Sequence, residues 1–160
     1  MGERGEGTVI GLISDTHGLV RPELFDALAG VAFILHAGDV GDGVLEELAA
    51  IAPVHAVFGN TDPPGHPALS REIVREVGGL VIHVSHGHEL GSPTPAKLLE
   101  RYAGDVLVYG HTHRQLVTRA GGRLVVNPGA AGPRRFDLTP SVGRLTIAGG
   151  NADVELVPLG

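Results

Sequence analysis

The stretch that decides the fold is TVIGLISDTHG, residues 8–18. Its first seven residues are almost wholly apolar and rich in β-branched side chains, which is typical of a buried strand in a parallel sheet. Asp15 and His17 follow directly, beside Gly18. Because side chains two residues apart in an extended segment point the same way, this aspartate and this histidine can chelate one ion.

The same arrangement, an apolar strand that ends in polar side chains next to glycine, recurs four times along the chain. The later strand ends carry His36 and Asp39, Asn60 and Asp62, His86 and His88, and His111 and His113. Ligands of open α/β sheets bind at the carboxyl ends of strands, so these groups are expected to meet. Burying so many imidazoles and carboxylates without a cation would be costly, which predicts a metal site.

Each strand end taken alone has a plainer interpretation. A histidine there is more often a hydrogen-bonded turn residue than a ligand. Asp39 after glycine suits a helix N-cap or a turn, and Asn60 suits the left-handed residue of a turn. Structural roles are assigned to His36, His55, His66 and His83. Five such strand ends in one chain of 160 residues favour a shared metal centre over five independent turns.

Alternation of strands and helices predicts an α/β fold with a parallel first half. Helices are expected over 22–29, 43–51 and 95–102, between strands at 8–14, 31–36, 53–58, 80–85 and 105–109. Further strands are expected at 71–77, 115–119, 123–127, 143–148 and 153–157, with hairpin turns at Gly78-Gly79 and Gly121-Gly122. The interpretation is one domain over 1–160 with a loose tail at 1–7, built from two face-to-face sheets with helices outside.

Composition narrows the classes of function. The chain has no cysteine, so a metal would be bound through nitrogen and oxygen. The net charge is −6 and no basic stripe is visible, which argues against nucleic acid as a partner. No apolar run reaches the roughly 18 residues that cross a bilayer, and the polar N-terminus lacks a signal core. A cytoplasmic protein without a membrane partner is therefore expected, and a homo-oligomer is compatible with the sequence.

The ordered blocks resemble the calcineurin-like metallophosphoesterase superfamily, specifically its small bacterial and archaeal phosphodiesterases. The resemblance runs from residue 8 to about residue 147 and rests on SDTHG at 14–18, HAGDV at 36–40, GNTD at 59–62, SHGH at 85–88 and GHTH at 110–113. The segment Asn127-Pro128-Gly129 is also similar to the family's pattern. The resemblance implies a four-layer αββα sandwich of two mixed β-sheets that carries two metal ions.

The resemblance also implies which residues hold the two ions. One ion would take Asp15, His17 and His113, the other would take Asn60, His86 and His111, and Asp39 would bridge them. Mixed nitrogen and oxygen ligands suit Mn²⁺, Fe, Zn²⁺, Ni²⁺ or Co²⁺, with Mn²⁺ the expected choice. The implied reaction is in-line attack on phosphorus by a metal-bridging hydroxide, with a small phosphoester as substrate. The expected catalytic residues are Asp39, Asn60 and His88.

One position departs from the family's pattern. Many relatives have histidine directly after the Gly-Asn pair, where it helps to protonate the leaving group, and this chain has Thr61. His88 is the candidate replacement, with a turn or supporting role as its alternative. Asp62 either orients a metal-binding imidazole or caps the turn at residues 63–64. Arg134 and Arg135 are assigned to solvated surface, with contact to phosphate as the alternative.

Two other functions are compatible with this fold. The first is a catalytically silent protein-interaction scaffold, the role of the retromer subunit of the superfamily, although that protein departs at the position matching His17. The second is a phosphomonoesterase or a nuclease on the same metal core, and the absence of a basic groove argues against the nuclease. Specificity is expected to lie in the loops at 63–70 and 91–95, outside the metal ligands.

Overall fold

The computed structural model describes residues 7–63, 65–135 and 137–160, so most of the tail expected at 1–7 lies outside the described residues. The strands are β1 (Thr8–Ile13), β2 (Phe33–His36), β3 (Val54–Val57), β4 (Leu69–Ser70), β5 (Ile73–Val77), β6 (Leu80–Val84), β7 (Val106–Val108), β8 (Leu116–Ala120), β9 (Arg123–Asn127), β10 (Ser141–Ala148) and β11 (Asn151–Pro158). The helices are α1 (Leu24–Ala27), α2 (Val44–Leu48) and α3 (Pro95–Arg101), with a 3₁₀ turn over His88–Leu90.

The strands form two mixed sheets. The first has the order β11-β10-β1-β2-β3-β4, in which β1 to β4 run parallel and the other pairings are antiparallel. The second has the order β5-β6-β7-β9-β8, with a parallel centre of β6, β7 and β9 and an antiparallel strand at each edge. Parallel pairing therefore extends into the half of the chain that looked antiparallel from its strand-rich sequence.

Three apolar clusters divide the molecule into four layers. The middle cluster lies between the two sheets and includes Leu12, Val84 and Leu145. A second cluster packs α1 and α2 against the outer face of the first sheet, and a third packs Leu98 of α3 against the second sheet. Full burial of each such side chain contributes about 1.5–3 kcal/mol. The layers match the predicted αββα sandwich.

Both helices on the first sheet are shorter than their predicted spans. The amides of Leu24 and Phe25 donate to carbonyls three residues earlier, and so does that of Ala29. These i to i+3 bonds form turns around the short α-helical segment instead of extending it. The two-residue strand β4 was not predicted, because two residues carry no readable alternation. The predicted third helix is confirmed, with Thr94 Oγ1 accepting from the Lys97 amide at its N-terminus.

Glycine pairs close the hairpins at one end of the sandwich. Gly78-Gly79 joins β5 to β6 and Gly121-Gly122 joins β8 to β9, as predicted, and Gly149-Gly150 makes a third such turn between β10 and β11. All six glycines have positive φ, as a type I′ hairpin turn requires. Because β6 and β9 start at these turns, their carboxyl ends lie at the opposite end of the sandwich, where the polar side chains collect.

Candidate metal centre

Strand direction brings the predicted ligands to one rim. Strands β1, β2 and β3 end their parallel run in the first sheet, and β6 and β7 end theirs in the second, so the loops after all five strands lie together. The Asp15 amide donates to the Gly38 carbonyl and the His17 amide donates to the Asp39 carbonyl, both at 2.9 Å. In the same way, the Gly110 amide donates to the His86 carbonyl. The loops thus hydrogen-bond to one another and set the positions of their side chains.

The backbone at this rim is strained. In the described part of the chain, five residues other than glycine have positive φ, and all five are predicted ligands: Asp15, His17, Asp39, His111 and His113. The left-handed region costs a residue with a Cβ about 1–2 kcal/mol. Strain of this kind persists where the surrounding structure imposes it, and it concentrates at functional sites.

The first group of donors consists of Asp15, His17 and His113. Asp15 Oδ1 lies 3.9 Å from His17 Nε2 and 3.5 Å from His113 Nε2, and the two imidazole rings are 5.3 Å apart between centroids. The three donor atoms lie close enough together to hold one metal ion. The structure thus brings together the side chains that the resemblance implies for one ion.

The second group surrounds His86. Its Nε2 lies 3.3 Å from Asp39 Oδ2, 3.2 Å from Asn60 Oδ1 and 3.8 Å from Asp15 Oδ1. The ring of His111 packs against it at 5.2 Å. Asp39 Oδ2 is also 3.7 Å from His17 Nε2, so this carboxylate lies between the two groups, as expected for a bridge. Asp15 reaches both groups as well, a feature that the sequence did not predict.

The hydrogen bonds of these side chains fit a cation. His86 Nδ1 donates to the Ala37 carbonyl at 2.7 Å, so in the neutral ring the Nε2 lone pair faces three oxygen atoms. That arrangement is repulsive unless a proton or a metal ion lies between them. Asp15 Oδ1 and His17 Nε2 are buried and have no hydrogen-bond partner in the described residues. A backbone carbonyl that accepts from one imidazole nitrogen, with the other nitrogen free to bind, is the usual arrangement of a metal-binding histidine.

The ionisation of the cluster is consistent with this fit. Burial opposes charge on Asp39, but hydrogen bonds from His86 and from the Thr61 amide outweigh it and hold the pKa of Asp39 well below its ordinary value. Burial likewise lowers the pKa of His86, but the carboxylates of Asp39 and Asp15 outweigh it and raise that pKa above 6.5. Burial lowers the pKa of both His111 and His113. These two imidazoles are therefore held neutral, as metal ligands must be.

Residues outside the two donor groups hold the ligand-bearing loops in position. The Asp62 carboxylate accepts from the amides of Val40, Gly41 and Gly59 at 2.9–3.2 Å, so it ties the Asp39 loop to the Asn60 loop. No imidazole is among these partners, so the first predicted role does not describe this contact, and the alternative, a cap of the turn at 63–64, involves residue 64, which lies outside the described residues. The signal that could have located it is a buried carboxylate two residues past Asn60.

Two more supporting contacts were not predicted from the sequence. Asn127 is fully buried, and its Nδ2 donates to the Gly110 carbonyl and to Thr112 Oγ1, which fixes the loop that carries His111. His36 accepts from the Gly38 amide through Nδ1, so its Nε2 donates to Thr16 Oγ1 at 2.9 Å. Burial lowers the pKa of His36 to about 3, which keeps it neutral. The structural role assigned to His36 agrees with these bonds.

The remaining candidates lie at the edge of the cluster. The ring of His88 is 5.3 Å from that of His86 and 6.3 Å from that of His111, and its side chain is 28% exposed. It is therefore beside the predicted ligands and reachable from solvent. Arg134 and Arg135 are exposed, although Arg135 is near enough to contribute to the lowered pKa of His113.

Comparison with known proteins decides the family. The family model of the calcineurin-like phosphoesterase superfamily domain matches residues 9–150. The chain belongs to this superfamily. A probable metallophosphoesterase of Methanothermobacter thermautotrophicus is 37% identical and is aligned over 95% of this chain and 93% of its own length. A phosphodiesterase of Methanocaldococcus jannaschii is 29% identical over 75% of this chain and 82% of its own length. These relatives support metal-dependent hydrolysis of phosphoesters as the activity of this member.

Solved structures confirm the fold. Vps29 of Entamoeba histolytica, solved with Zn²⁺, is 24% identical and covers 96% of this chain and all of its own, with a TM-score of 0.73. An archaeal phosphodiesterase is 23% identical, with a TM-score of 0.72 over 94% of this chain and all of its own. At these identities the likeness shows the shared α/β sandwich. None of the helices in the described residues has the length and apolar character to cross a membrane.

Proposed function

We propose that this chain is a dinuclear metal-dependent phosphodiesterase. The observation that carries the proposal is the pair of adjacent donor groups around His17 and His86, which share the buried carboxylates of Asp15 and Asp39. Orphaned oxygen and nitrogen atoms face the common space between them. Two cations within one such space form the usual two-metal centre of phosphoester hydrolysis.

Each donor group would hold one ion. Asp15, His17 and His113 would hold the first, Asn60, His86 and His111 would hold the second, and Asp39 would contact both. When bound, two divalent ions lower the pKa of water and stabilise the charge that develops on the phosphoryl oxygens. The donor set of imidazole, carboxylate and amide is compatible with Mn²⁺, Fe, Zn²⁺, Ni²⁺ and Co²⁺, and we propose Mn²⁺.

The chain's own residues contribute position and charge. Two divalent ions outweigh the two ligand aspartates, so the rim attracts an anionic substrate although the net charge of the chain is −6. The Thr61 amide donates to Asp39 Oδ1 at 2.9 Å and fixes this carboxylate between the two donor groups. His88 borders the centre with its side chain partly exposed to solvent, and it is the side chain that we propose to protonate the leaving group.

Thr61 supports a preference for diesters with good leaving groups. A threonine hydroxyl does not act as an acid near neutral pH, so protonation would depend on His88 alone. The resulting demand for leaving groups of low pKa can be measured as the slope of rate against leaving-group pKa. Because His88 borders the centre and is 28% exposed, we expect it to protonate the leaving group only in part, which predicts a steep slope. A flat dependence would contradict this preference and show that His88 acts as a full acid. The phosphodiesterase of Methanocaldococcus jannaschii, a relative at 29% identity, also supports the diester assignment.

The direct test is turnover after metal reconstitution. Purified protein would be stripped with a chelator and reloaded with Mn²⁺, Zn²⁺, Ni²⁺ or Co²⁺, and the bound metal would be counted by mass spectrometry. We expect two ions per chain and hydrolysis of bis(4-nitrophenyl) phosphate in preference to 4-nitrophenyl phosphate. Two bound ions without hydrolysis of either ester would favour the interaction scaffold, the alternative that the Vps29 fold suggests. Reversed preference would identify a phosphomonoesterase.

A further inference from the structure

A cavity of about 210 Å³ adjoins the metal centre. It lies between the end of β3 and the end of α3, and His88 forms the wall that it shares with the centre. The His88 ring is 5.3 Å from that of His86 on one side and 6.5 Å from that of Phe58 on the other. A group bound in this cavity would therefore be in contact with the residue placed next to the reacting phosphate.

The two acidic residues of the cavity wall are already engaged. Glu89 accepts from the Tyr102 hydroxyl at 2.6 Å and from the Gly87 amide at 3.0 Å. Glu72 Oε2 lies 2.9 Å from His83 Nε2, in a side-chain pair under α3. These carboxylates are held by the protein's own donors. They leave few free acceptors for a ligand.

The two arginines of the same wall, Arg71 and Arg101, are free by contrast. Among the residues that the structure describes, the one arginine in an ion pair is Arg119, with Asp153. Neither Arg71 nor Arg101 donates a hydrogen bond to any described residue, and the Arg101 guanidinium lies over the Tyr102 ring at 5.5 Å. Free guanidinium groups offer paired N–H donors that match the two oxygens of a carboxylate or a phosphate.

The size of the cavity limits what can enter. Sites for whole drug-sized ligands start at roughly 300 Å³, so this cavity accepts a single ring with one substituent and not a complete dinucleotide. Its walls of Phe58 and His88 suit the faces of a planar ring, while the Tyr102 ring is stacked on His83 at 4.0 Å. The hydrogen-bond donors that remain available to a ligand in this cavity are the guanidinium groups of its two arginines.

We propose that this cavity binds the leaving arm of the substrate, and that preferred substrates carry on that arm a ring with an oxyanion, a carboxylate or a phosphate. This inference rests on the proposed phosphodiesterase function, because it assigns the cavity to one ester arm. Arg71 and Arg101 are then specificity-determining residues. They select the substrate and leave the chemistry at the metal centre to other groups.

A matched pair of esters tests the proposal. Methyl 4-nitrophenyl phosphate and methyl 3-carboxy-4-nitrophenyl phosphate differ by one carboxylate on the leaving ring. We expect kcat/KM of the wild type to be roughly ten- to hundredfold higher for the carboxylated ester. The double variant Arg71→Gln/Arg101→Gln should lose this preference and keep its rate on the uncharged ring. Arg114→Gln, which removes a charge from a cavity beside His113, is the matched control and should keep the preference.

Binding to the metal-free protein separates this inference from the proposed function. Calorimetry with 3-carboxy-4-nitrophenol and 4-nitrophenol should show binding of the carboxylated phenol alone, lost in the double variant and kept in Arg114→Gln. Arginine-dependent binding without turnover of either ester would support the cavity and contradict the phosphodiesterase. Turnover of both esters at equal kcat/KM, or a preference that survives the double substitution, would overturn the cavity assignment and leave the phosphodiesterase standing.

Discussion

The two ends of the sandwich differ in which residues adopt a positive φ. At the hairpin end, positive φ falls on glycine pairs such as Gly121 (57°) and Gly122 (83°), for which it carries almost no penalty. At the metal-centre end, positive φ also falls on aspartate and histidine, with Asp15 and Asp39 at 55° and His111 at 73°. The molecule thus contains turns of low strain and turns of high strain within one pair of sheets.

This difference in strain follows from the side chains that the metal-centre end must carry. A glycine at Asp15 or Asp39 would relieve strain of about 1–2 kcal/mol and would remove the carboxylate that faces the donor cluster. Bonds between loops, such as the 2.9 Å bond from the Asp15 amide to the Gly38 carbonyl, hold the strained residues in place. The metal-centre end therefore depends on the surrounding packing in a way that the hairpin end does not.

The largest effect is expected at the carboxylate between the donor groups. Asp39→Asn removes its charge while keeping its size, so the affinity for the second ion should fall and kcat should drop more than about a hundredfold. Metal content per chain and the rate on bis(4-nitrophenyl) phosphate measure the two effects. Asp42→Asn, an exposed aspartate on the same loop, is the control and should retain both. Unchanged turnover in Asp39→Asn would refute the metal-centre assignment.

A methyl group tests how tightly the strained end is packed. Gly59 has no positive φ, but a Cβ there would overlap the carboxylate and the amide of Asp39. Gly59→Ala should therefore displace Asp39, with a loss of about ten- to hundredfold in metal-dependent rate. Gly30→Ala is the control, since its Cβ meets no atom within 4 Å and its backbone strain, at φ 79°, lies before β2 at the opposite end of the sheet from the rim. Equal rates in the two variants would show that the loops at the rim can shift to accommodate the methyl group.

The sequence predicted the elements whose cause is local. Apolar runs such as Thr8–Ile13 predict strands, the pair Gly78-Gly79 predicts a hairpin, and polar residues after each strand predict a cluster. What could not be predicted depends on loops that are distant in the sequence. The three amides that bind Asp62 and the two groups that bind Asn127 belong to loops whose meeting is set by sheet packing.

Lowering the pH should reduce the free energy of unfolding, because it favours protonation of His36 beside the metal centre. Burial lowers its pKa from 6.5 to about 3, so the unfolded chain binds this proton more readily than the folded one. The stabilisation is complete above pH 6.5 and is lost as the pH falls from 6.5 towards 3, by about 2.5 kcal/mol at pH 4.5. Urea unfolding of the metal-free protein at pH 7.5 and 4.5 measures the loss.

Substitution isolates the contribution of this one histidine. His36→Asn keeps a carbonyl oxygen to accept from the Gly38 amide and removes the titrating ring. Its stability should fall less on acidification than that of the wild type, by about 2.5 kcal/mol. The exposed His66→Gln is the control and should behave as the wild type does. Parallel pH profiles for His36→Asn and the wild type would mean that His36 is not held neutral by burial.

The smallest expected effect is a change in Tm when glycine and a residue with a Cβ are exchanged at the two kinds of turn. Gly122→Ala places a Cβ at φ 83° with no atom within 4 Å, so backbone strain alone should cost about 1 kcal/mol, or roughly 2–4 °C in Tm, with activity unchanged. His111→Gly makes the opposite change at the metal-centre end, because it replaces a residue that has a Cβ with glycine at φ 73°. Released strain there offsets the added freedom of the unfolded chain, so the metal-free variant should melt no lower than the metal-free wild type. A Tm several degrees lower would show that His111 stabilises the empty fold, which contradicts the view that this end is strained to hold a metal.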